Sequence, residues 1–108
     1  MSDLAACGDV GDVPFGATRR VTAAGLDVLL CNVDGTIYAV EDVCTHDGAP
    51  LDQGWLDGKC ITCPRHGAVF DVTTGAVLAL PAVIPLRTFA VDVRDGCVTI
   101  RVPLDSTY

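Results

Sequence analysis

Two short cysteine–histidine pairs, Cys44-Thr45-His46 and Cys63-Pro64-Arg65-His66, are separated by the sixteen residues 47 to 62. Their two histidines are the only ones in the chain. Thiolate is a soft ligand and neutral imidazole a borderline one, so two of each brought together form a transition-metal site. Nucleophilic Cys–His catalysis is the weaker reading, because the pairs are duplicated and no third group is evident to orient either histidine.

Whatever holds the pairs in place is built from strands. Thr18 to Ala23, Leu26 to Val33 and Thr36 to Val40 read as strands joined by turns at Ala24-Gly25 and Asp34-Gly35. Trp55-Leu56 and Lys59 to Thr62 flank a turn at Asp57-Gly58. Ala68 to Val72 and Ala76 to Ala79 flank Thr73-Thr74-Gly75. Near the end, Phe89, Val91 and Val93 alternate with Ala90, Asp92 and Arg94. Asp95-Gly96 then turns the chain into Cys97 to Val102, which alternates in the same way. No segment sustains a helical period. Both pairs fall where strands run out, so two hairpin-type loops facing each other at one tip of an all-β domain are expected to clamp the metal.

The 108 residues, half of them hydrophobic, suffice for one domain with one modest core. Seven cationic against fourteen acidic side chains give a net charge of −7, with no basic stripe to meet phosphates, so nucleic acid is not an expected partner. The start of the chain has no cationic n-region followed by an apolar run, so no signal peptide is expected. The longest apolar stretch, Ala76 to Leu86, is interrupted by Pro81 and Pro85 and is too short to span a membrane. A cytoplasmic protein follows as the expectation, and in a reducing compartment six cysteines suggest metal binding or buried thiols rather than disulfides.

The pattern resembles the Rieske-type ferredoxins of bacterial ring-hydroxylating dioxygenase systems. The resemblance runs from Val33-Asp34-Gly35 and Tyr38-Ala39 through Cys44-Thr45-His46 with Leu51 and Gly54. It continues through Cys63-Pro64-Arg65-His66-Gly67-Ala68, Phe70-Asp71, Thr74-Gly75, Leu80-Pro81-Ala82, Pro85-Leu86 and the Asp95-Gly96 turn. It implies a single Rieske-type antiparallel β domain over 1–108, with a small cluster-binding subdomain at about 43–83 and one [2Fe–2S] cluster per chain. By the same resemblance, Cys44 and Cys63 bind the inner iron, and His46 and His66 the outer one. Neutral imidazoles make the outer iron the easier to reduce, on the side a partner can reach. Backbone N–H groups around Gly48, Gly67 and Ala68 are candidate donors to the cluster sulfurs. Pro81 would belong to a third loop covering the cluster.

Departures from the respiratory-complex type of Rieske centre carry information. That type bridges its two ligand loops with a disulfide, but the corresponding positions here are Ala49 and Arg65. Its Ser and Tyr hydroxyl donors are replaced by Ala68 and Phe70, which implies a low reduction potential. A structural zinc site on the same four ligands is the competing reading, although zinc sequences usually pair Cys with Cys and His with His. Cys31, Cys60 and Cys97 read as small buried hydrophobes and Cys7 as an exposed thiol in a loose N-terminus. Trp55 reads as packing, Arg65 as part of a docking rim, and Pro81-Ala82-Val83 as an apolar docking patch or a simple turn.

The function implied is one-electron transfer, with no bond chemistry in this chain. A flavin-dependent reductase would be the donor and a terminal ring-hydroxylating oxygenase the acceptor, with no small-molecule substrate. The alternative is a Rieske-like small subunit of an assimilatory nitrite reductase. A mononuclear oxygen-activating iron would need two further histidines and a carboxylate, and both histidines are already used.

Overall fold

Eleven strands form in the computed structural model, which describes residues 2–45, 48, 50–64, 67–80, 82 and 84–103. They are β1 (Ser2–Asp9), β2 (Thr18–Ala23), β3 (Leu26–Val33), β4 (Thr36–Glu41), β5 (Trp55–Asp57) and β6 (Cys60–Thr62), then β7 (Val69–Asp71), β8 (Val77–Ala79), β9 (Thr88–Phe89), β10 (Val91–Arg94) and β11 (Cys97–Pro103). The only helical pieces among the described residues are 3₁₀ turns at Val10–Asp12 and Leu51–Gln53. Three antiparallel sheets result, ordered β1-β11-β10, β2-β3-β4-β9 and β5-β6-β7-β8.

Sheet β2-β3-β4-β9 is the middle layer, and strand periodicity explains how it serves two cores. Successive side chains of a strand point to opposite faces. Val28 and Leu30 of β3, with Ile37 and Ala39 of β4, pack against Val98, Ile100 and Val102 of β11. Leu29, Cys31 and Val40 point the other way and pack with Ile61 and Phe70 of the β5–β8 sheet. A strand covered on both faces has no polar side, which is why Val28-Leu29-Leu30-Cys31 is a continuous apolar run.

The predicted turns set the registers. Ala24, Asp34 and Asp95 take φ of 51°, 52° and 52°, each followed by a glycine with positive φ. Two left-handed residues in succession are what a type I′ hairpin needs. The strand expected from Phe89 onward breaks at Ala90. Phe89 pairs with Ala39 of β4, whereas Val91 pairs with Ile100 of β11, so the chain changes sheets at that corner.

The N-terminus corrects the sequence reading. It is not loose: β1 pairs with β11 along its length, with a bulge between Ala6 and Gly8. Cys7 is half-buried against the β11 core, and Cys97, expected inside, is exposed. Trp55 is also exposed rather than packed.

Candidate metal centre

The two cysteines of the pairs begin loops with the same closure. The Gly48 N–H donates to the Cys44 carbonyl at 2.7 Å, and the Gly67 N–H donates to the Cys63 carbonyl at 3.0 Å. Each bond spans four residues, and each closing glycine is left-handed, with φ of 78° and 77°. Glycine adopts that region without the Cβ penalty. The Gly48 and Gly67 N–H groups are thereby engaged in closing the two loops.

The loops arise differently. Cys63 follows β6, and its N–H donates to the Ala68 carbonyl at 2.8 Å, one step beyond the Thr62–Val69 pair. That loop is a hairpin loop in the strict sense. The loop carrying Cys44 leaves β4 in the middle sheet and reaches β5 in another, so it is a crossing between sheets. It is tied down instead by side chains. The buried Asp42 carboxylate accepts from the backbone N–H of Leu51 and Asp52 through Oδ1, at 2.8 and 2.9 Å. Its Oδ2 lies 3.2 Å from Arg20 Nε, and Arg20 also pairs with Asp27 at 2.9 Å. Burial and the neighbouring Asp52 charge raise the Asp42 carboxyl above the usual range, against the pull of those N–H groups and Arg20.

Cys44 and Cys63 are both buried in one apolar cluster with Leu51, Ile61, Ala68, Phe70 and Ala82. A thiolate in such surroundings is costly unless a cation neutralises it. That is a donor set suited to a metal held by sulfur on its protected side. None of the six cysteines forms a disulfide. Cys31, in the same cluster, is a different case: burial, then the Asp42 charge, push its thiol up to about 12, so it stays protonated and fills space.

A third segment completes the enclosure. Ala82 and Leu86 are buried in the cysteine cluster. The Thr45 hydroxyl, next to Cys44, donates to the Ile84 carbonyl at 2.5 Å. The Leu86 N–H donates to the Gly75 carbonyl at 2.8 Å. Ala82 therefore cannot belong to an apolar docking patch, because it faces inward; Leu80 and Ile84 are the exposed apolar residues there, at 74% and 59%. His46, His66, Arg65, Ala49, Pro81 and Val83 lie outside the described residues.

The sequence matches the Rieske [2Fe–2S] domain over residues 4–90. The chain belongs to the Rieske [2Fe–2S] family. The cofactor of this family member is accordingly a Rieske-type [2Fe–2S] cluster, and the buried Cys44 and Cys63 fit it. The 3-phenylpropionate/cinnamic acid dioxygenase ferredoxin subunit of Photorhabdus laumondii is 41% identical over 103 residues, covering 94% of this chain and 96% of that one. Among solved structures, the Sphingomonas yanoikuyae B1 ferredoxin is 37% identical with a TM-score of 0.86, over 91% of this chain and 97% of its own. A chain of the complex of reduced oxygenase and oxidised ferredoxin in carbazole 1,9a-dioxygenase is 38% identical, with a TM-score of 0.85, over 90% and 91%. This Rieske protein is a ferredoxin of the dioxygenase type, an electron carrier rather than a catalytic subunit.

Asp42 is not legible as a site residue in the sequence. A single acidic residue two positions before a cysteine carries no signal of its own, and only the fold shows that it grips the far end of the ligand loop. Gly54 was visible only through the resemblance.

Proposed function

We propose that Cys44, His46, Cys63 and His66 hold the cluster within a cluster-binding subdomain of about 43–83, in a single domain spanning 1–108. The protein then takes single electrons from a flavin-dependent reductase and delivers them to a terminal ring-hydroxylating oxygenase in the cytoplasm. The observation that carries this reading is the matched closure of the two ligand loops, which brings Cys44 and Cys63 into one buried cluster. When bound, the cluster supplies reversible one-electron chemistry. The chain's part is to exclude water from the two sulfurs, through Leu51, Phe70 and Ala82, and to fix both loops so that little rearranges when charge changes. The oxygenase as acceptor is supported by the similarity to a ferredoxin seen with its oxygenase. The cytoplasm is supported by a six-cysteine chain that forms no disulfide, as a reducing compartment favours. In addition, no helix among the described residues is long and apolar enough to cross a membrane. The relatives are ferredoxin subunits, which disfavours the nitrite reductase subunit.

The test is analysis of the purified protein followed by reconstitution. Two irons and two acid-labile sulfides per chain are expected, with reduction by a separate reductase and reoxidation by an oxygenase. Folded protein containing neither element, or obligate co-purification with a large sirohaem subunit, contradicts the reading.

A further inference from the structure

The 3₁₀ turn Leu51–Gln53 and its closing Gly54 lie outside both Cys–His pairs, yet they touch the approaches to both. On one side, Asp42 reaches across the first ligand loop. Its Oδ1 takes the Leu51 and Asp52 N–H groups at 2.8 and 2.9 Å, so the residues just before and just after the Cys44 loop are joined through one carboxylate. The side chain of Asp42 is wholly buried, and its own backbone N–H donates to the Asp27 carbonyl at 2.9 Å, fixing it to the middle sheet. On the other side, Gly54 lies against the Thr62 carbonyl, immediately before Cys63. A Cβ at position 54 would fall inside the van der Waals shell of that oxygen and crowd the Leu51 carbonyl as well. Gly54 has φ of −88°, a region open to any residue. Its lack of a side chain is therefore needed for closeness, not for conformation.

We propose that the Leu51–Gly54 turn is a spacer that sets the separation of the two ligand loops, with Asp42 and Gly54 as its positioning residues. Asp42 fixes the turn to the Cys44 loop, and Gly54 lets the same turn rest directly on the strand end that leads into Cys63. Neither residue is a ligand. Each acts through backbone that carries one, in the way outer residues orient ligands in metal sites. The inference rests on the proposed cluster assignment and extends it.

The test compares wild-type holoprotein with D42A, D42N and G54A, and with V98A, a truncation in the other core, remote from the loops. The measurements are iron and sulfide per chain, the rate of iron loss to a chelator, and the g-values of the reduced protein. D42A and G54A are expected to lose iron about ten- to a hundredfold faster, matching the loss of metal affinity typical when outer residues of metal sites are removed, and to shift the g-values. D42N retains an acceptor oxygen and is expected to fall between wild type and D42A. V98A is expected to lower thermal stability with unchanged g-values. Wild-type g-values and iron loss in both D42A and D42N, or shifts no larger than those of V98A, overturn the proposal even where G54A fails to fold. Wild-type protein without iron and sulfide fails the cluster assignment instead, so the two failures are distinguishable.

Discussion

At the scale of single residues, the electronics of the site follow from what Ala68 and Phe70 lack. Both are fully buried in the cluster that contains Cys44 and Cys63, and neither has a hydroxyl. A donor to sulfur stabilises the reduced, more negative state, so its absence leaves that state less favoured. The midpoint potential is expected near the lower end of the roughly −150 to +300 mV span of Rieske centres. Ala68→Ser is expected to raise it by roughly 50–100 mV, the equivalent of about 1–2 kcal/mol for one electron. A redox titration with a clearly positive wild-type midpoint contradicts this account. These residues were legible in the sequence because they neighbour a dense motif. Asp42 was not, because its role depends on a contact with Leu51 and Asp52 that spacing alone does not announce.

At the scale of elements, the glycines of the site do different work, and their substitution costs should separate. Gly67 closes its loop at φ 77°, and among the described residues no atom lies within 4 Å of where a Cβ would stand. Gly67→Ala is expected to cost about 1–2 kcal/mol, the left-handed penalty alone. Gly75 has φ 84°, and a Cβ there would also run into the Leu86 carbonyl oxygen, where the third segment crosses the β7–β8 turn. Gly75→Ala is expected to cost more, above roughly 3 kcal/mol, since strain and overpacking add. Thermal unfolding of the two holoproteins checks the order, and equal costs would show that the crossing relaxes freely. The turns at Ala24-Gly25, Asp34-Gly35 and Asp95-Gly96 were readable because type I′ hairpins demand such residues. β1 was not readable: Ser2–Asp9 has no β-branched residue and becomes a strand through pairing with β11. The sheet change at Ala90 was equally hidden, because alternation continues through it while the partner strand changes.

At the scale of the whole molecule, charge and exposed apolar surface compete for control of docking. The net charge of −7 favours encounter with basic partner faces and speeds association at low salt. Electron transfer to the partner oxygenase is expected to slow several-fold as salt rises from about 0.05 to 0.5 M, as screening shortens the reach of the charge. A rate indifferent to salt would assign docking to apolar contacts at the exposed Leu80 and Ile84. The acidic balance was plain from composition. Which apolar side chains face outward was not, since Leu80, Ala82 and Ile84 are chemically alike and only the fold turns Ala82 inward.

Nitrogen and sulfur ligands sharing one cluster are the central expectation, and pulsed electron paramagnetic resonance of the chemically reduced protein tests it directly. Two strongly coupled nitrogens on the paramagnetic centre are expected, both lost when His46 and His66 are replaced by Cys. A reduced cluster without nitrogen coupling, or a protein that carries zinc and gives no signal, would contradict it.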